Sequence, residues 1–159
     1  MLGRLVTLLV SALIVTLMGT ATVPAHAENI GREGCTPGYW KNHTDNWEET
    51  TPGALFSSTF SDGTSGVLVG LTLEGALASG GGSGVAGAEL ILARAATAAF
   101  LNAAHEGLGY PWRRDAVGLD GRPPLVATVI AALESGDRAR ILALASRLDA
   151  DNNLGCPLS

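Results

Sequence analysis

His43 and His105, Cys35 and Cys156, and the carboxylates of Glu48, Glu49, Glu106, Asp149 and Asp151 are the side chains of this sequence whose types suit chemistry. By type alone, the two histidines and two cysteines would make a four-ligand zinc set. Zinc-binding cysteines come in close pairs, however, and these two stand at opposite ends of the chain, so no metal is expected. The terminal "DADNNLG", Asp149 to Gly155, places side-chain oxygens at alternate positions, as calcium loops do. It lacks the glycine at the sixth position and the acidic twelfth residue of an EF-hand, and reads instead as a polar helix end stopped by Asn152 or Asn153. The pairs Glu48 with Glu49 and Asp149 with Asp151 read as exposed, solvated carboxylates with nothing nearby to perturb them, and His105 beside Glu106 reads as a helix-end residue. The glycine run "SGGGSG", Ser79 to Gly84, lacks the Gly-Lys-Ser/Thr ending of a phosphate loop and reads as a flexible connection. A Gly-x-Ser-x-Gly elbow is also missing. No catalytic residue and no cofactor are expected, and an enzyme is the less favoured class.

The remaining candidate is "GCTPGYWKNHTDNW", which concentrates aromatic and polar side chains in an otherwise aliphatic chain. Tyr39, Trp40 and Trp47 each carry a large apolar face and one polar atom, behind a Pro37-Gly38 turn. Such a segment suits a lid over one end of a helical core. The functional alternative is a shallow recognition surface, with Trp40 stacked on a sugar or peptide and Tyr39, Lys41, Asn42 and His43 around it. Aromatic clusters of this size are core more often than site, so the lid is the primary reading.

These residues need elements to position them, and the hydrophobic spacing predicts helices. Leu90, Ala93, Thr97, Phe100, Leu101 and Ala104 recur at helical intervals within Ala88 to Glu106, with Arg94, Asn102 and His105 on the other side. A second helix follows Pro123-Pro124, with Leu125, Val126, Val129, Ile130 and Leu133 as its stripe, and Gly136 ends it. Asp137 then caps a third, with Ile141, Leu144, Ala145 and Leu148 inward. Between Glu48 and Gly84 the chain is rich in Gly, Ser and Thr, with turns at Pro52-Gly53 and Asp62-Gly63, apolar anchors at Leu55, Phe56 and Phe60, and a short helix at Leu73 to Ala78. The fold class is mainly α: a small single-domain helical array with a Gly/Ser-rich irregular N-terminal half.

Residues 1–27 read as a signal peptide. Arg4 supplies the positive region, Leu5 to Gly19 the apolar one, and Ala25-His26-Ala27 a cleavage site, leaving residues 28–159 as one secreted helical domain. The apolar run is shorter than the ~20 residues of a spanning helix, and no membrane association is expected after cleavage. In an exported protein, Cys35 and Cys156 read as one disulfide joining the ends of the domain. The formal charge is −5, and loss of Arg4 with the leader takes it one unit further, to −6. With only Arg113-Arg114 as a basic pair, nucleic acid is not an expected partner.

Taken together, "GCTPGYWKNH", the mid-chain "LNAAH", the "YP" after it and the terminal "LDADNNLGCPL" resemble a domain of exported bacterial proteins of uncharacterised function. The resemblance spans Cys35 to Leu158. It implies an exported module, sometimes part of larger surface proteins, with no activity and no functional residues to carry over. The expected function is an exported, non-enzymatic surface or matrix interaction module, secreted or at the cell surface. Its expected partner class is a cell-surface or extracellular polymer whose identity the sequence does not name. The alternative is a carbohydrate-binding protein or extracellular enzyme using Tyr39 to His43.

Overall fold

In the computed structural model, residues 32–60 and 66–158 are described. The signal peptide expected at 1–27 and the turn expected at Asp62-Gly63 lie outside the described residues. Six α-helices and no strand are formed among those that are: α1 (Pro37–Asn42), α2 (Phe56–Thr59), α3 (Leu73–Ala78), α4 (Gly84–Ala104), α5 (Leu125–Glu134) and α6 (Arg138–Asn152). The fold is mainly α, with a loosely structured N-terminal half and one disulfide, Cys35 to Cys156.

Local chemistry sets the helix boundaries. The Thr36 hydroxyl accepts from Tyr39 N at 3.1 Å and Pro37 occupies the first turn of α1, where its missing N–H costs nothing. Thr72 caps α3 in the same way through Gly75 N at 3.0 Å. Asp137 caps α6, accepting from Ala139 N at 2.8 Å and Arg140 N at 3.4 Å. Ser135 and Gly136, the latter at φ 58°, make the tight turn between α5 and α6.

Helix α4 is the axis of the molecule. It packs most extensively on α6, and α1, α3 and α5 cover the rest of it. Every residue from Ala95 to Ala99 is buried, so the helix is enclosed on nearly all sides. Small alanine side chains let the neighbours approach closely from several directions, which corrects the expectation of an amphipathic helix with Asn102 facing outward: Asn102 is 1 % exposed. At 21 residues and mean hydropathy 1.4, α4 is long and apolar enough to cross a bilayer, but here it is the core helix of a helical array. Ile141, Leu144, Ala145 and Leu148 of α6 face it as expected, as do Leu125, Val129 and Leu133 of α5, with Val126 and Ile130 at the edge.

The glycine run is not a free connection. Helix α4 begins four residues earlier than expected, and a Cβ at Gly87 would sit 2.2 Å from Gly82 O, so the run folds back on the first turn. The Ser79 hydroxyl reaches the carbonyls of Ala76 and Leu90 at 2.7 and 3.0 Å, tying α3 to α4. Upstream, Phe56 and Phe60 are fully buried with ring centroids 4.6 Å apart, whereas Leu55, expected as an anchor, is 42 % exposed. The disulfide brings the N-terminal segment onto the end of α6. Gly34 N donates to Gly155 O at 3.0 Å, and a Cβ at Gly34 would meet Asp151 O at 2.2 Å, so only glycine fits there.

Candidate functional site

Asn102 lies on the α4 face that also carries Ala95 and Ala98, and there it meets the segment that begins at Cys35. Its Oδ1 accepts from Cys35 N at 2.8 Å and from Trp40 Nε1 at 3.0 Å. Its Nδ2 donates to Cys35 O at 2.9 Å and to Asn152 Oδ1 at 3.0 Å. Asn152 Oδ1 also accepts from the Tyr110 hydroxyl at 2.7 Å, and its Nδ2 donates to Ala95 O at 3.0 Å. Cys35, Trp40, Tyr110 and Asn152 are all 0 % exposed. Asn102 uses both of its amide N–H donors and Asn152 has its oxygen and its nitrogen engaged, which is what a polar group needs if it is to be buried without a large penalty. All four segments singled out in the sequence converge here: "GCTPGYWKNH" through Cys35 and Trp40, "LNAAH" through Asn102, "YP" through Tyr110, and the terminal motif through Asn152.

A second buried cluster adjoins it. Asp151 Oδ2 accepts from Trp112 Nε1 at 2.7 Å and Arg122 Nε at 3.1 Å, while its Oδ1 accepts from Arg122 Nη2 at 2.9 Å. Asp151 is therefore no solvated carboxylate, as the sequence suggested, but a 7 % exposed acceptor in a two-pronged arginine pair. Its hydrogen bonds hold the Arg122 guanidinium more firmly protonated than usual. Burial, reinforced by the Asp151 charge, pushes the Tyr110 phenol well above its ordinary range, so Tyr110 stays a donor to Asn152 at any physiological pH. Glu33, in the polar lead, is also buried and accepts from Gly109 N at 2.7 Å.

His43 and His105 are similarly engaged. The His43 ring stacks on Tyr39 at 4.2 Å with its Nδ1 2.9 Å from Tyr39 O, so Nδ1 carries the proton. His105 Nδ1 accepts from Gly107 N at 3.1 Å, which places the neutral ring's proton on Nε2, 3.5 Å from Glu48 Oε1. Both cysteines are in the disulfide and offer no thiolate.

Of the five residues Tyr39 to His43, the structure separates inner from outer. Trp40 has no exposed ring face, and its carbonyl accepts from Trp47 Nε1 at 2.9 Å. Tyr39 and His43 are half-buried, with Asn46 Nδ2 donating to the Tyr39 hydroxyl at 2.6 Å. Asn42 is exposed and donates to Gly38 O at 2.9 Å. Lys41 is exposed and borders an open cleft of about 390 Å³, together with Thr36 and Gly38, Arg94 of α4, and Asp149 and Asn153 at the end of α6. A smaller hollow of about 110 Å³, with Ser146 on its rim, shares Arg94 and Asp149. Lys41 is the only lysine of the chain. Neither it nor Arg94 belongs to an ion pair among the described residues.

Another open hollow, of about 370 Å³, lies beside Arg114. There the guanidinium stacks on Phe100 at 3.6 Å and pairs with Glu49, a non-glycine residue at φ 60°. Burial pushes the Arg114 guanidinium below its ordinary range against the opposing pull of Glu49.

The chain matches no protein-family model, no curated protein and no solved structure. Sequence reasoning missed Asn102, Asn152, Asp151, Tyr110 and Glu33 as structural polar groups, and Arg94 as part of a surface cleft. Asn102 carried no local signal, because the alanines around it fit either face of the helix. The others depend on long-range contacts.

Proposed function

We propose that this chain is an exported, non-enzymatic interaction module that docks on a cell-surface or extracellular polymer through the outer side of its two terminal motifs. The observation that carries the reading is the division of polar groups. The thiols, two imidazoles and one carboxylate are bound into the fold: the cysteines in a disulfide, His43 and His105 on backbone groups, and Asp151 on Arg122 and Trp112. Thr36, Lys41, Asp149 and Asn153 of the same motifs gather instead around one open cleft. The disulfide suits an oxidising compartment, and the resemblance to domains of exported surface proteins points the same way.

The test is co-sedimentation of the purified, disulfide-bonded protein with insoluble extracellular polymers, including peptidoglycan sacculi and acidic and neutral polysaccharides. Saturable retention on at least one of them is the expected result. Failure to bind any of them, with turnover found in a hydrolase or transferase activity panel, would replace this reading with the enzymatic one.

A further inference from the structure

We infer that the cleft between α1, α4 and the end of α6 is a binding site for a carboxylate flanked by hydrogen-bond donors, the chemistry of a uronic acid unit. The inference rests on the interaction-module reading and names the ligand class.

Charge is the first ground. The chain is acidic, with formal charge −5, yet its single lysine and an arginine from a different helix border one cleft without ion-pair partners among the described residues. Two cations against the single Asp149 carboxylate leave this concave surface net positive, and a guanidinium with an ammonium suits a carboxylate, one as a planar fork and the other as a point charge. The hollow beside Arg114 offers no such opportunity, because Glu49 already pairs with that cation.

The rest of the lining sets what surrounds the carboxylate. Asp149 is an acceptor, and the Asn153 amide nitrogen already donates to Asp149 O at 2.7 Å, leaving its side-chain oxygen to accept. These acceptors require O–H or N–H donors on the ligand. The volume of about 390 Å³ falls in the ~300–1,000 Å³ range of small-molecule sites. Leu77 and Pro37 give it little apolar surface, so a greasy ligand gains little there. A hydroxylated sugar acid meets each demand. An α-amino acid carboxylate shares the chemistry, with its ammonium toward Asp149.

The single lysine supplies the assay. Reductive ¹³C-methylation of the disulfide-bonded chain marks Lys41 and the N-terminus alone, and the Lys41→Arg variant identifies which signal is which. Titration with glucuronate, a glucuronate oligomer, alanine, glucose and acetate follows. The Lys41 signal is expected to shift saturably with glucuronate and its oligomer, and not with glucose or acetate. A saturable shift with alanine alone assigns the same carboxylate site to an amino-acid or peptide source. By calorimetry on unmodified protein, Arg94→Gln and Lys41→Gln each lower affinity about ten-fold or more, as loss of a charge-assisted hydrogen bond does, while Lys41→Arg retains it.

No shift with any carboxylate, or equal shifts with glucuronate, acetate and glucose, overturns the inference. So does undiminished affinity in both glutamine variants. If the protein sediments with a polymer and Lys41→Gln and Arg94→Gln sediment equally well, the module stands and this cleft is not its site. If it sediments with none while glucuronate still shifts Lys41 saturably, the carboxylate site stands without polymer docking; if neither is seen, the inference falls.

Discussion

Removing the Asn102 amide tests whether the convergence of the four segments is what holds the fold. Asn102→Ala strips the Cys35 N–H, the Cys35 carbonyl and the Trp40 indole N–H of their partner, all in a fully buried place. Asn152 Oδ1 keeps the Tyr110 hydroxyl and is only partly affected. A buried group left unsatisfied costs about 1–3 kcal/mol, so three of them give roughly 3–9 kcal/mol before relaxation. A water entering the vacated space would recover some of this, and a loss on the order of 3–6 kcal/mol is expected. Against a domain stability of roughly 5–15 kcal/mol, that is a large fraction. The assay is guanidinium unfolding under non-reducing conditions, followed by tryptophan fluorescence, with Asn42→Ala as an exposed control costing under about 1 kcal/mol. Asn102→Asp should be as unstable at neutral pH and recover in part as pH falls, because the protonated carboxyl offers one O–H, to Cys35 O or to Asn152 Oδ1, in place of the amide's two N–H groups. A loss under about 1.5 kcal/mol for Asn102→Ala, the worth of one ordinary hydrogen bond, would refute the reasoning.

Other outcomes follow from the same structure. Leu148→Ala, at 0 % exposure against α4, should cost about 2–5 kcal/mol, whereas exposed Arg140→Ala should change stability by no more than about 0.5 kcal/mol; equal losses in denaturant unfolding would mean that α6 faces the other way. Trp40→Ala should cost about 3–5 kcal/mol and Lys41→Ala under about 1 kcal/mol, and a stable, folded Trp40→Ala protein would contradict the lid. Because the folded-state pKa of Tyr110 is raised, its contribution to stability is full below about pH 10 and is lost as pH climbs toward that raised value. Tyr110→Phe should therefore lose less stability between pH 9 and 11 than the parent protein, and parallel pH profiles in urea unfolding would count against a buried phenol.

Helices α3, α5, α6 and most of α4 were legible because each is written in local chemistry, whereas α1 and α2 were read as a turn and as isolated anchors. Asp137 before an apolar stripe and Gly136 ahead of it act within one turn, and the short α3 falls where its residues suggested. The disulfide was legible from two cysteines at the ends of a domain whose sequence reads as exported. Burial of Asn102 and Asp151 was not, because an isolated asparagine or aspartate carries no local mark of whether a partner waits for it. Asn102 is satisfied by atoms 67 and 62 positions away, and Asp151 by Trp112 and Arg122, 39 and 29 away. The enclosure of α4 was hidden for a related reason: alanine is compatible with either face, so its spacing marks no outward side. Arg94 was therefore read as part of a solvated face, when three elements meet beside it.

Inner and outer roles alternate within single helical turns, and this ties the proposed site to the core. In α1, Trp40 points inward and Lys41 outward. In α6, Asp151 and Asn152 are buried while Asp149 and Asn153 reach the cleft. Cleft residues are thus immediate chain neighbours of atoms that are clamped: Thr36 follows Cys35, and Asn153 follows Asn152. Such a cleft is held in shape before any ligand arrives, which lowers the ordering cost of binding. Two fastenings hold the Cys35 end, the disulfide and the Asn102 amide, and they act differently. Closing a loop with sequence separation 121 stabilises chiefly by restricting the unfolded chain, by up to about 4–5 kcal/mol, whereas the amide acts on the folded state where Cys35 meets α4. Gentle reduction in conditions where the chain stays folded should therefore leave cleft affinity within about two-fold, while Asn102→Ala, even kept folded by its disulfide, should weaken it further by loosening the start of α1. Calorimetric titration of both forms with glucuronate oligomer measures this, and the opposite order would mean that the disulfide, not the buried amide, positions the cleft.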